Sequence, residues 1–316
     1  MRVTKTILCI IMSLAGIQAA AEEQASESKM TIDSAKDQAN KTGGDDVDET
    51  LTNNKLRAET GSKSKFSVAT AFNYDGGSLK SPLDANRPNI QGINGTTDVA
   101  DLNGSINMKY NITQKDSILV GGGLRWIAPL QGGQRPDSYP EGQMFDTFDP
   151  SINYQHVYKV GSVQSYYQVG PTIYSRTDVL KRGYVANLGI YNVNALDIGH
   201  SGVTVGLESQ ALTNFFNSND EDLLRKQTDY TFFVYPYLEY ALTDKINLRT
   251  VTFLWSVEHT RDHDAGTWVQ DKVTQSFGVG FSVTRDVFLY PNVQIIPDQL
   301  RAADTNVGLA ANINLF

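Results

Sequence analysis

The chain has 316 residues, 40% of them hydrophobic and 20% charged, with a formal net charge of −8. That is enough for one large domain or two ordinary ones. One cysteine and four histidines exclude a cysteine-based zinc module or a disulfide scaffold, and the lack of a basic block argues against nucleic acid as a partner.

The first 21 residues read as a secretory signal peptide. Arg2 and Lys5 are its positive start, Ile7 to Ile17 its short apolar stretch, and Ala19, Ala20 and Ala21 offer small-residue cleavage sites. Cys9 lies inside the apolar stretch and not at a lipidation point, so the mature chain carries no thiol. Beyond this stretch no apolar run is long enough for a transmembrane helix. Cleavage removes two positive charges and no negative ones, taking the net charge from −8 to −10.

Residues 22–63 form a polar segment with no aromatic residue, and Asp45, Asp46, Asp48 and Glu49 sit close together in it. Alone it cannot bury enough apolar surface to fold. Two readings stand: a disordered periplasmic leader, or a plug that folds back into a pore.

Residues 64–316 are dominated by a period of two, in stretches of about ten residues separated by turn signals. This is the pattern of a transmembrane antiparallel up-and-down β-barrel. Twelve strands are predicted. The second is the clearest: Leu102, Gly104, Ile106, Met108 and Tyr110 alternate with Asn103, Ser105, Asn107, Lys109 and Asn111. The fourth is read with Phe148, Pro150, Ile152, Tyr154, His156 and Tyr158 on one face; the sixth has an ambiguous phase, and the ninth changes phase midway. Short turns near 111–115, 159–162, 199–202, 243–245 and 284–286 alternate with longer loops near 75–97, 128–145, 175–183, 217–228, 260–271 and 297–304. With a periplasmic N-terminus, every short turn falls inside and every long loop outside. Tyr74, Tyr110, Trp126, Tyr158 and Tyr240 sit near strand ends, as interfacial girdles do.

Through the signal peptide, the alternating region from Lys65 and the terminal Asn-Leu-Phe, the chain resembles the bacterial outer-membrane β-barrel superfamily in its porin-like members. The resemblance implies an outer-membrane location, contact with outer-membrane lipids, and recognition of the last strand, ending at Phe316, by the barrel-assembly machinery. It also implies a channel for passive diffusion of small hydrophilic solutes or ions.

The non-apolar phase supplies the expected pore lining: Asn107, Lys109, Arg125, Gln155, Gln168, Glu208, Glu239 and Arg249, with both charge signs present. Facing charges of this kind orient hydrated solutes. Tyr166, Tyr174, Tyr235 and Tyr237 share that face, as a track for sugars or as a surface packed against a plug. The loop Ala128–Phe145, with Gly132, Gly133, Pro136 and Pro140, is a candidate constriction.

Enzymatic alternatives rest on little. His259, Asp262, His263 and Asp264 form one polar loop without an opposing acidic pair. His200 and Ser201 are adjacent in a turn, where nucleophile and base cannot face each other. No enzyme activity, cofactor or metal is expected. A protease- or lipase-type barrel and a barrel that only displays loops are the competing readings.

Overall fold

The computed structural model describes residues 46–90, 97–130, 145–218, 220–261 and 268–315. The expected signal peptide, residues 22–45 of the polar segment, Phe316 and most of the two loops singled out above (131–144 and 262–267) lie outside these residues.

Twelve strands close into one antiparallel barrel. They are β1 (Phe66–Ser78), β2 (Asp101–Asn111), β3 (Asp116–Ile127), β4 (Phe145–Val160), β5 (Val163–Ile173) and β6 (Tyr184–Asp197). Then come β7 (Val203–Phe216), β8 (Thr228–Ala241), β9 (Ile246–Phe253 and Trp255–Thr260), β10 (Thr274–Thr284), β11 (Val287–Ile295) and β12 (Asn306–Leu315). Each pairs with its sequence neighbours, and β12 closes on β1 with Val68 opposite Leu315 and Tyr74 opposite Leu309. Closure pairs these strands through the membrane-spanning wall, and a short strand, Trp268–Gln270, adds to Val257–His259 of β9 at the loop end.

Adjacent residues show which face is which. Leu248 is 46% exposed on the outer wall while Arg249 is 3% exposed inside. Ile106, Met108, Ile152, Ile173, Leu188, Ile190 and Phe277 are likewise exposed outward. An apolar belt of this extent on a closed sheet belongs in lipid. No described helix is long and apolar enough to cross a membrane; the strands cross it. The protein is a transmembrane β-barrel with short turns at one end, the end expected to be periplasmic, and long loops at the other, expected to be outer.

Three strands settle their phases in instructive ways. In β4 the ladder slips between Gly121 and Gly123 of β3, with Asp149 at φ 53. The bulge turns Phe148 inward, opposite Gly123, so Phe148 does not share the outward face of Ile152, as the alternation had implied. In β6, Leu188 and Ile190 face out while Tyr191, Val193 and Ala195 face in, opposite Gln168, Tyr166 and Gln164. The phase was ambiguous because both faces carry apolar residues. In β9 the strand breaks at Leu254, putting Val251 and Phe253 inward before the break and Trp255 outward after it.

Candidate functional site

The inner wall is apolar where a water-filled pore would be polar. Val157, Val193, Ala195 and Val251 are buried in the periplasmic half of the lumen. What buries them is the segment just ahead of β1. Residues 47–50 form helix α1 and residues 54–60 helix α2. Asp46 caps α1 through the Asp48 N–H (3.0 Å), and Asn53 caps α2 through the Leu56 N–H (3.1 Å). Val47, Leu51 and Leu56 join the inward Val157, Tyr166, Val193, Tyr237 and Val251 in one apolar cluster, with Leu56 only 1% exposed. Ala58 packs with Phe288 and Tyr290 on another part of the wall.

Polar groups tie the same segment to strands around the barrel. The Gln164 carbonyl oxygen of β5 accepts from the backbone N–H groups of Thr52 (2.6 Å) and Asn53 (2.9 Å). Gln155 donates to the Thr60 carbonyl (3.0 Å), which also accepts from the Lys109 ammonium. Asn314 of β12 donates to the Ala58 carbonyl (2.6 Å), and Arg285 at the β10–β11 turn reaches Asp48 (3.0 Å) and the Gly61 carbonyl (2.9 Å). These bonds satisfy helix-terminal carbonyls that would otherwise be buried without partners.

At the centre sits a buried charge network. Arg249 pairs with Glu239 and with Glu208 (2.6 Å), and its guanidinium lies 4.2 Å over the Tyr237 ring. Lys55 of α2 reaches Glu208 (3.0 Å) and pairs with Glu59, while Asn53 donates to Glu239 (2.8 Å). Burial alone would push the Lys55 ammonium down; Glu208 and Glu59 outweigh that and hold it above its ordinary value.

Of the eight expected lining residues, Lys109, Gln155, Glu208 and Glu239 touch residues 46–64 directly. Arg249 acts through the two glutamates, and Gln168 donates to Gln155 (2.9 Å). Asn107 and Arg125 lie further toward the outer end, Arg125 paired with Asp101. Arg249, and not Lys109 or Arg125, balances Glu208 and Glu239. Tyr166 and Tyr237 are buried under the helical segment, whereas Tyr174 and Tyr235 are only partly buried. Sequence reading missed Lys55, Glu59 and Arg285; the Asn53 cap and the Lys55–Glu59 spacing were the available signals.

Gly61 ends α2 at φ 85, a region that disfavours side chains, and an added Cβ would lie 3.1 Å from the Lys109 side chain. Gly61→Ala should therefore loosen the segment by about 1–2 kcal/mol. The expected readout is faster amide exchange at Leu56; unchanged exchange would contradict it.

At the periplasmic mouth, Lys63 joins Asp46 and Asp48 (both 2.7 Å). The hydrogen bond from Lys63 holds the Asp46 carboxyl below its ordinary value. A depressed carboxyl helps hold the segment above its free pKa and loses that contribution as pH falls through the bound value. Acidification below about pH 4 should thus raise cleavage of residues 46–63 by pepsin relative to a Lys63→Met variant. Equal acid sensitivity in both would count against this tie.

The outer half of the lumen is different. It is lined by amides, among them Asn73, Asn103, Asn107, Asn153 and Gln210, and none of these is buried. The hairpin Asn86–Pro88 with Thr97–Val99 folds onto the inner wall: Arg87 pairs with Asp75 and donates to Gln294 (2.7 Å), and Asn306 donates to the Pro88 carbonyl (2.8 Å). This first outer loop narrows the lumen. A cavity of about 270 Å³ remains beside Thr52–Asn54 at the periplasmic end.

The dyads outside the lumen are separate. His156 bonds Asp116 (2.7 Å) on the outer wall, and His259 bonds Asp229 (2.7 Å) near Trp268. Asp262, His263 and Asp264 lie outside the described residues.

No protein-family model matches the chain, and no curated protein matches it. Solved barrels do resemble it in outline. An outer-membrane channel from Pseudomonas putida F1 superposes with a TM-score of 0.48 at 9% identity, over 81% of this chain and 97% of that one. The KdgM porin, solved with disordered oligogalacturonate, gives 0.40 at 8% identity over 78% and 98%. The outer-membrane phospholipase A from Escherichia coli gives 0.39 at 12% identity over 82% and 96%.

Proposed function

We propose that the protein is a porin-like channel for passive diffusion of small hydrophilic solutes, held closed at its periplasmic half by residues 46–64. The observation that carries this reading is the contrast between the two halves of the lumen. The outer half is an accessible amide-lined vestibule; the inner half is apolar only where the helical segment covers it. A barrel meant to stay solid would have no use for the polar vestibule. A permanently open one would not expose Val193 and Val251 to water.

The eight residues expected as pore lining then divide by task. Asn107 and Arg125 line the vestibule. Lys109, Gln155, Glu208, Glu239 and Arg249, with Gln168 behind them, hold the segment and would line the passage once it leaves. The same proposal includes no enzymatic step, and insertion by the barrel-assembly machinery through the strand ending at Phe316.

Liposome swelling tests the reading. The full chain should pass small uncharged solutes slowly, and a Lys55→Met, Arg285→Met variant should pass them faster with a size limit set by the first outer loop. No swelling in either, with the barrel verified as folded, would overturn it.

A further inference from the structure

The vestibule contains a built site that the channel reading does not require. A cavity of about 340 Å³ lies between the first outer loop and the inner wall, bounded by Asn73, Arg87, Phe253, Gln294 and Asn306 among others. Its size falls within the usual range of small-molecule sites, roughly 300–1,000 Å³.

One wall is the Phe253 ring, with Tyr235 and Phe233 stacked behind it and not lining the cavity. Phe253 meets Tyr235 edge to face with centroids 4.7 Å apart, and Phe233 stacks on Tyr235 at 4.7 Å and 7°. Asn73, Asn89 and Gln294 bring amides to the other walls, which Asp75, Arg87, Pro88 and Ile90 complete. Asn306 is 0% exposed; its amide nitrogen donates to the Pro88 carbonyl, while its side-chain oxygen has no partner among the described residues. That oxygen is sealed from the cavity, and the groups open to a ligand are the Asn73 and Gln294 amides and the Phe253 ring. The charges are already matched: Arg87 is bound to Asp75 and to Gln294. The cavity therefore offers an apolar ring face and hydrogen-bonding amides, with no unmatched ion.

We infer that this cavity binds neutral saccharides, resting on the channel reading for its role as an entry site. A pyranose has the complementary chemistry: hydroxyls that exchange hydrogen bonds with Gln294 and Asn73, and a C–H face that lies on Phe253. An acidic sugar would bring a carboxylate to an Arg87 that is already satisfied, and a zwitterion would have to break the Arg87–Asp75 pair.

The test is calorimetric titration of the full chain in detergent with maltose, cellobiose, lactose and sucrose, against galacturonate and glycine. At least one neutral disaccharide should bind. Its affinity should fall at least tenfold in Phe253→Ala and in Asn73→Leu, and recover in Phe253→Trp. Binding that is indifferent to Phe253 and Asn73, or preference for galacturonate or glycine, would overturn the inference. No disaccharide binding from a protein that swells liposomes would sink the saccharide site alone. Site-dependent binding without swelling would uphold the site and sink the channel.

Discussion

Replacing Arg249 by methionine should destabilise the protein by about 3–5 kcal/mol, because it strands two buried carboxylates. Glu208 would keep Lys55 and Tyr191 as partners, and Glu239 only Asn53 and Asn247. The backbone ladder of β9 with β8 and β10 does not depend on this side chain. The damage should therefore divide: a lower thermal midpoint for the barrel, and a larger loosening of residues 46–64. Trypsin should reach Lys55 and Arg57, which are mostly covered in the docked segment. Arg249→Lys should be intermediate, since one ammonium cannot satisfy two carboxylates as a guanidinium fork does. An Arg249→Met protein with an unchanged midpoint and unchanged cleavage would show that the network holds nothing.

Leu56→Asp should release the segment while sparing the barrel. Leu56 sits in the cluster with Val193, Tyr237 and Val251, so an aspartate there either buries an unpaired charge or leaves. Leu56→Ala should cost about 2–5 kcal/mol by opening a cavity. The aspartate costs more, and undocking relieves it. Recordings should show open steps in Leu56→Asp at higher occupancy than in the parent, with Leu56→Ala between them. Identical traces from all three, each folded as judged by heat-modified mobility, would separate docking from conduction.

Strand count, inner-outer parity and loop sides were legible in the sequence because a sheet between lipid and lumen forces a period of two. The inward set that includes Gln155, Glu208, Glu239 and Arg249 followed from parity alone. Two features lay beyond parity. The Asp149 bulge is a local backbone choice that parity cannot register, although Asp149–Pro150 interrupts β4 with a residue lacking an N–H. The docked segment stood only as one of two open readings, because its apolar residues, Val47, Leu51 and Leu56, are too few and too spread to mark an amphipathic helix. Its best trace lay elsewhere, in the inward Val193, Ala195 and Phe288, which break the polar phase of strands otherwise bounded by water. Such residues in a lumen report a buried partner, and the partner is the chain's own leader.

Single-channel recording in planar bilayers, of the mature chain and of the same chain lacking residues 46–62, tests the central claim most directly. The intact protein should rest closed or open briefly, and the shortened one should give frequent discrete steps of larger conductance. Equal conductance from both, or silence from a shortened barrel shown to be folded, would contradict a channel closed by its own leader.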